Sequence, residues 1–413
     1  MQRRVLWLAV AIAGGALALL GLAGGFVVLA WTLAEGLALT ATVTLPAAGM
    51  AALGLGLGLP LVLHGWDGWR ARPSRPFEPP RVRWAGLAWV LLVGLGALVS
   101  SLSLAPAIWL PPIHVLTMAL PPLIVLCLVG QALGGVGGSW REVVTGMAGG
   151  GALGLGIALM GEALIAFAFV AVATAVMLAT PGGTEQVASV VRKLQDPTWA
   201  TDLDNLLPFL RSPALAVSVL FLFTIPVPLV EETFKTLAAG VAARWIRPRP
   251  ARAFLWGVAG GAGFSLAENL FNGALGGAEG WVLGAVARFG ATVMHCATAG
   301  LIGWGWGQFW TGRRPRRLLG SYAAGVVIHG LWNAAAVGTV LLSVSSLTHE
   351  GDALWLALTG YGTLTFLALL ALLTGLSVVA LQGAGRRLAA GAAASYSHTS
   401  SGEAGCCARL MCR

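Results

Sequence analysis

The sequence contains few charged residues. Asp, Glu, Lys and Arg make up 10% of its 413 residues, whereas 57% are hydrophobic; a typical soluble domain carries about 25% charged residues. No soluble domain is evident, and apolar runs of about 20 residues, long enough to cross a bilayer as a helix, recur along the chain. The sequence predicts an all-α fold, a polytopic transmembrane helical bundle of about ten spans. The predicted spans lie near residues 5–31, 39–64, 85–105, 113–134, 145–179, 213–242, 254–275, 281–309, 319–345 and 355–384.

Cysteine is also scarce, and the five cysteines provide no disulfide framework. Cys127 and Cys296 lie within predicted spans, and Cys406, Cys407 and Cys412 lie in the C-terminal tail. This placement excludes a disulfide-rich secreted scaffold. The 58 glycines do not argue against helices, because small residues allow helices to approach closely in a membrane.

The net charge of +9 has an uneven distribution along the chain. Basic residues in a membrane protein concentrate in cytoplasmic loops, and the asymmetry here predicts that both termini are cytoplasmic. The basic balance therefore indicates topology, and no nucleic-acid partner is expected. Arginines occupy one set of alternate loops, near residues 3–4, 70–83, 141, 244–252, 313–317 and 386–387, whereas the other side holds Arg192, Lys193 and Arg211.

Polar residues divide the chain into regions. Apart from Glu162, which is interpreted as a helix-packing or gating residue, the charged groups inside spans fall between residues 231 and 329. Residues 181–212 are the one long extracytoplasmic loop, with apolar residues spaced for short amphipathic helices. The predicted organisation is a transmembrane scaffold of about five spans (1–180), this loop (181–212), a four-span catalytic core (213–345), a last span (346–385) and a cytoplasmic tail (386–413).

The stretch "VPLVEETFKTLAAG" places Glu231, Glu232 and Lys235 inside an apolar run. Residues four apart share a helix face, so Lys235 is expected to pair with Glu231 and leave Glu232 to activate water. Pro226 and Pro228 predict a kink or break just upstream. A buried ion pair that serves only packing is the alternative interpretation, but such a pair needs only one carboxylate.

The next two spans add more polar groups. "FSLAENLFN" contributes Glu268 and Asn269, and "RFGATVMHCATAG" places Arg288 and His295 roughly on one stripe. The alternative interpretation is a cluster of hydrogen bonds between helices.

"IHGLWNAA" puts His329 and Asn333 four residues apart on one face. At 1.5 Å per residue, counted from the nearest arginine cluster, Glu232 and His329 lie about 18 Å deep, Glu268 about 24 Å and His295 about 27 Å. Four spans thus bring two carboxylates and two imidazoles to overlapping depths. Such groups are costly in a membrane and usually mark a functional site.

Two kinds of chemistry suit these residues. A carboxylate with histidine can activate water, while His329 and Asn333 stabilise an oxyanion. Alternatively, Glu268, His295 and His329 hold a zinc ion and Glu232 is the base, because two histidines and a carboxylate are a known catalytic zinc set.

Motifs of other hydrolases are absent. There is no H-E-x-x-H. The five aspartates, Asp67, Asp196, Asp202, Asp204 and Asp352, lie in predicted loops or at span ends, which argues against a pair of catalytic aspartates in the membrane. Ser265 in "GFSLAE" lacks a convincing nucleophile motif and is interpreted as a packing residue. His64, His114, His349 and His398 are expected to be solvated at span ends, in loops or in the tail.

The motifs "EETFK", "FSLAEN", "RFGATVMH" and "HGLWN", in this order on four successive spans, resemble the PrsW family of intramembrane proteases, within the CAAX-protease-like group. The resemblance covers about residues 213–345. It implies hydrolysis of peptide bonds in membrane-anchored proteins, a class that includes anti-sigma factors in this family. The lipid bilayer is the expected surrounding.

The resemblance also implies site residues. Glu231, Glu232, Glu268, His295 and His329 match the positions proposed for the family's active site, and Lys235, Asn269, Arg288 and Asn333 are expected to support them. Similar CAAX prenyl endopeptidases carry histidine where this chain has Glu268. The cofactor therefore stays open between a divalent metal such as zinc and a glutamate-activated water without metal.

Two further functions fit the same residues. A proton- or ion-coupled transporter could use buried Glu, Lys and His as a relay. A membrane scaffold that binds a partner without catalysis is the third hypothesis. Loss of function in Glu232→Gln without any proteolysis would favour the transporter, whereas unchanged function in Glu232→Gln and His329→Ala would favour the scaffold.

Overall fold

The computed structural model describes residues 2–196, 199, 205, 212–275, 280–347 and 352–410. Within these ranges the chain is helical, with no strand beyond one isolated antiparallel bridge between Pro76 and Ser139. The predicted all-α fold is confirmed. The helices are α1 (Gln2–Ala34), α2 (Ala41–Trp69), α3 (Arg83–Ser101), α4 (Pro106–Leu133), α5 (Trp140–Ala148), α6 (Leu155–Leu178), α7 (Gly183–Leu194), α8 (Pro213–Thr224), α9 (Pro226–Ile246), α10 (Pro250–Leu275), α11 (Trp281–Gly312), α12 (Pro315–Leu347) and α13 (Ala353–Leu410), with a π-helical segment, Gly149–Gly154, between α5 and α6.

Nine segments of the described chain are long and apolar enough to cross a membrane. They coincide with nine of the predicted spans, so the chain is a multi-pass integral membrane protein. The remaining predicted span, residues 254–275, forms α10, which is not among the nine. Because α10 is buried along nearly its whole length, it does not need the apolar surface of a helix that faces lipid.

Proline begins several of the helices. A proline at the first helical position sacrifices no hydrogen bond, and its fixed φ favours the start of a helix. At Pro226 this divides one membrane segment, because α8 ends at Thr224 and α9 begins at Pro226. The break predicted from Pro226 and Pro228 is confirmed, and it lies one turn before Glu231. The helices that begin with proline are α4, α8, α9, α10 and α12.

The chain forms two compact units, of which the first comprises residues 1–155, 232–325 and 374–413. In this unit α10 packs against α2, α4, α5, α11 and the π-helical segment. Leu255, Val258 and Ala262 of α10 are fully buried in the core. The long helix that is not among the nine membrane-crossing segments is thus surrounded by protein.

Two glycines of α10 allow the helices of the candidate site to come close. A Cβ atom at Gly260 would lie 2.6 Å from the carbonyl oxygen of Lys235 on α9, and one at Gly261 would lie 2.5 Å from that of His295 on α11. A side chain at either position would clash with backbone, so only glycine permits this separation. Lys235 and His295 are therefore held directly against α10.

The second unit comprises residues 156–231 and 326–373. It contains α6, α7, α8, the first turns of α9, the C-terminal part of α12 and the N-terminal part of α13. A Cβ atom at Gly330 would overlap the carbonyl oxygen of Thr224, and one at Gly338 would lie 2.5 Å from the Phe366 ring. In this unit α12 therefore packs closely against the end of α8 and against α13.

Helix α7 forms part of the predicted extracytoplasmic loop, whereas residues 197–198, 200–204 and 206–211 of that loop lie outside the described part. The predicted C-terminal tail continues α13 as a helix to Leu410. The functional division into scaffold and catalytic core stays a prediction. Outside the described residues lie also Asp202, Asp204, Arg211, His349 and Cys412.

Candidate active site

Glu232 and Lys235 form a buried ion pair on α9. Nζ of Lys235 lies 2.7 Å from Oε1 of Glu232, and neither side chain is exposed. The prediction that Lys235 pairs with Glu231 is therefore wrong. Residues three and four apart are both neighbours on a helix, and contacts with α11 favour Glu232, because Oγ1 of Thr298 donates a hydrogen bond to its Oε1 at 3.0 Å.

His295 on α11 connects this ion pair to α10. Its Nδ1 lies 2.8 Å from Nζ of Lys235, and its Nε2 lies 2.8 Å from Oε2 of Glu268. An ammonium group can only donate hydrogen bonds, so Nδ1 accepts from Lys235 and the ring proton resides on Nε2, directed at Glu268. Lys235 thus sets both the tautomer and the orientation of the imidazole.

Glu268 is in turn paired with Arg288. Nη2 of Arg288 lies 2.9 Å from Oε2 of Glu268, and Nδ2 of Asn272 donates to Oε1 at 3.0 Å. Two cations, Lys235 and Arg288, therefore balance two carboxylates, Glu232 and Glu268, on either side of His295. Pairing of this kind is what allows charges to persist away from water.

Asn269 supports the arginine end of this network. Its Oδ1 accepts from Nε of Arg288 at 2.8 Å, and its Nδ2 donates to Oγ1 of Thr292 at 2.9 Å. Ser265 donates to the same threonine oxygen at 2.7 Å. The interpretation of Ser265 as a packing residue therefore agrees with its contact. Of the predicted site residues, the first unit brings together Glu232, Lys235, Glu268, Asn269, Arg288 and His295.

Glu231 and His329 face each other in the second unit. Oε2 of Glu231 lies 3.7 Å from Nε2 of His329, and the two residues are 7% and 2% exposed. This distance exceeds that of a direct hydrogen bond, but both groups can bind one small species between them. The two adjacent carboxylates of α9 therefore have different surroundings.

Asn333 binds the backbone near the end of α8, where the helix is interrupted. Its Nδ2 donates to the carbonyl oxygen of Phe223 at 2.9 Å, which lies near the end of α8. Phe223 is among the last four residues of α8, whose carbonyl groups have no N–H donor within their own helix. The amide predicted to stabilise an oxyanion thus has a structural hydrogen bond.

Two residues of the structure were not expected from the sequence. Thr298 binds Glu232, and its position three residues after His295 on one helix face was a signal that could have identified it. His114 was predicted to be solvated, which is wrong. It is fully buried on α4, with Nε2 3.0 Å from the carbonyl oxygen of Leu270 on α10. Its partner is 156 residues away in sequence, so local spacing gives no indication of it.

Comparison with known proteins identifies one family. Residues 141–373, more than half of the chain, match the family model described as PrsW family intramembrane metalloprotease. The match includes every predicted site residue and extends well beyond residues 213–345. No curated protein and no solved structure matches the chain.

Proposed function

The chain belongs to the PrsW family of intramembrane metalloproteases, and from this premise we propose that it cleaves membrane-anchored proteins with water activated at Glu231 and His329 of the second unit, and that His295 is the working imidazole of the first unit. It is an intramembrane protease, a hydrolase of peptide bonds. The substrate class and the roles of individual residues are the proposal. They are supported by the paired buried groups on α9 to α12.

In this proposal Glu231 is the carboxylate that accepts a proton from the attacking water. The single observation that carries it is the difference between two neighbours: Glu232 is tied to Lys235 at 2.7 Å, whereas Glu231 faces His329 at 3.7 Å. Lys235 and Thr298 both bind Oε1 of Glu232, so this carboxylate is engaged in holding α9 and α11 together. Sequence spacing assigned the activation of water to Glu232 and the ion pair to Glu231. We assign the activation of water to Glu231 and the ion pair to Glu232.

Glu231 and His329 of the second unit and His295 of the first unit also have the chemistry of metal ligands. All three are buried, and residues of these types could hold a metal ion; two imidazoles and one carboxylate are a ligand set of catalytic zinc. A bound divalent metal would supply Lewis acidity and make its water more acidic. His295 has Lys235 at Nδ1 and Glu268 at Nε2, so ligation replaces one partner while the other orients the ring.

Glu231 carries the proton of the reaction. Oε2 of Glu231 accepts a proton from water as the water oxygen bonds to the peptide carbonyl carbon. Glu231 then donates this proton to the departing amine nitrogen as the C–N bond breaks, and His329 transfers no proton. Lys235, Glu268, Arg288 and Asn269 act by position, because they hold His295 in one orientation.

The experiment reconstitutes the purified protein in liposomes with a set of single-span membrane peptides. Wild type is expected to cleave at least one peptide, and Glu231→Gln to cleave it at least about 100-fold more slowly, since general bases contribute about 10²–10⁴-fold. Chelation is expected to abolish cleavage. Elemental analysis of the untreated protein should find a divalent metal that His329→Ala loses.

Two matched variants separate chemistry from folding. Glu162→Gln removes another carboxylate of the membrane segments and should cleave at the wild-type rate. Glu232→Gln should lower thermal stability as well as activity, because it leaves Lys235 without its anionic partner, whereas Glu231→Gln should unfold near the wild-type temperature. Cleavage by Glu231→Gln at the wild-type rate would exclude the assigned role.

A further inference from the structure

A cavity lies at one end of the first unit, away from the site described above. Its volume is about 1130 Å³, and it lies where α4 and α9 end and where α5 and α10 begin, beside α13. The charged residues that line it are Arg247, Arg249, Arg252, Arg387 and Glu142. Its position at helix ends corresponds to the level at which lipid headgroups meet a membrane protein.

The loops that form one wall of the cavity are tied together. The backbone N–H of Phe77 donates to the carbonyl oxygen of Gly138 at 2.9 Å. The backbone N–H of Trp140 donates to the carbonyl oxygen of Arg75 at 3.1 Å. The backbone N–H of Arg141 donates to Oγ of Ser74 at 3.2 Å. The wall is therefore built from hydrogen-bonded backbone and exists before any ligand binds.

The one acidic residue that lines the cavity is already neutralised. Arg252 binds Glu142 through two hydrogen bonds, Nε to Oε2 at 2.7 Å and Nη2 to Oε1 at 2.8 Å. Nε1 of Trp256 and Oγ of Ser139 donate to the same carboxylate at 2.8 and 3.1 Å. Glu142 therefore does not oppose an anion, and its pairing holds Arg252 in place.

Arg247 and Arg387 then give the cavity its positive charge. Within the described residues, the side chains of Arg247 and Arg387 make no hydrogen bond or ion pair, whereas Arg249, which also lines the cavity, has an interaction of its own. Guanidinium groups bind phosphate through paired N–H donors. A cluster of this kind at a helix end attracts phosphate-bearing anions.

We propose that this cavity binds the phosphate group of an anionic phospholipid. Its volume is slightly above the range of ordinary ligand pockets and far exceeds that of a phosphate ion, so it accommodates a headgroup with its glycerol. Basic pockets between membrane helices are typical sites for such headgroups. The lipid would join α4, α9, α10 and α13 at one end of the unit.

Native mass spectrometry of the purified protein in detergent tests the proposal. The protein is titrated with phosphatidylglycerol or with phosphatidylcholine of the same acyl chains, and the retained lipid is counted. Wild type should retain phosphatidylglycerol in preference. Arg247→Gln/Arg387→Gln should bind it about 30-fold more weakly, since each arginine near anionic lipid contributes about 1 kcal/mol.

Arg314→Gln/Arg316→Gln is the matched control, because it removes the same charge from exposed arginines outside the cavity, and it should bind as wild type. Arg247→Lys/Arg387→Lys keeps the charge but loses the paired N–H donors, so it should bind the lipid more tightly than the glutamine variant and less tightly than wild type. Equal affinity in the cavity variant and the control would overturn the proposal. Displacement of the lipid by millimolar inorganic phosphate would overturn the claim that the bound phosphate belongs to a lipid, because the cavity would then be a site for soluble anions.

Discussion

Lys235 is the residue on which the rest of the site depends. Its ammonium group donates to Glu232 and to His295, and it lies 5.2 Å from the centre of the Phe264 ring. These contacts join α9, α10 and α11 through one side chain that is 1% exposed. A lysine is costly in such a place, and its charge is stable there only because an anion lies beside it.

Lys235→Met should therefore destabilise the protein by about 3–5 kcal/mol, the usual cost of leaving one partner of a buried pair uncompensated. Glu232→Gln/Lys235→Met should be more stable than Lys235→Met, because it leaves no unpaired charge. The free energy of unfolding, measured in detergent by denaturant titration, checks both. Lys193→Met, at an exposed position on α7, should change it by less than about 0.5 kcal/mol. Additive losses in the double variant would contradict the pairing.

The sequence identified the residue types of the site but not their pairing. Glu231 and Glu232 are both neighbours of Lys235 on a helix, and the choice between them depends on where α11 places Thr298 and His295. That position results from packing between distant segments. His114 illustrates the same limit, because its burial depends on the arrival of Leu270 from α10.

At the scale of elements, α10 explains how a polar site is built in an apolar protein. Hydrophobic runs predicted the spans and the all-α fold class, because lipid-facing helices must be apolar. The structure confirms the fold class. The same signal is weak in α10, which is enclosed by other helices and carries Glu268, Asn269 and closely packed glycines. Motif spacing, rather than hydropathy, indicated that this helix belongs to the site.

Gly261→Ala tests whether close packing of α10 positions the site. The added Cβ atom would lie 2.5 Å from the carbonyl oxygen of His295 and 2.9 Å from Cβ of Ala299, so α11 must shift. Overpacking of this kind costs about 1–3 kcal/mol, and the displaced imidazole should lower peptide cleavage more than tenfold, because misplacement by about 1 Å is enough to cost about 100-fold.

Gly284→Ala on α11 is the control, since nothing lies within 4 Å of its Cβ position. It should retain wild-type cleavage and unfold at the wild-type temperature or above. Equal cleavage by the two variants in the liposome assay would show that the separation of α10 and α11 does not control the site.

At the scale of the whole molecule, the distribution of arginines indicates how the chain crosses the membrane. Loop residues near 74–76, 135–139 and 247–252 and residue Arg387 line one cavity of the first unit, and the sequence assigned these same segments to one side. Their convergence agrees with the alternation of spans between them. Which side is cytoplasmic stays a prediction from the positive-inside rule.

Cysteine accessibility tests that orientation. In a variant without native cysteines that still cleaves peptides, Pro73→Cys and Thr311→Cys should react with a membrane-impermeant maleimide only after the cells are lysed. Gln186→Cys on α7 should react in intact cells, because its loop carries few arginines and lies on the opposite side; all three positions are exposed. Reaction of Pro73→Cys and Thr311→Cys in intact cells, with protection of Gln186→Cys, would reverse the orientation. Labelling of all three in the same sample of intact cells would reject the alternation itself, since the arginine-rich loops and the α7 loop would then share one side.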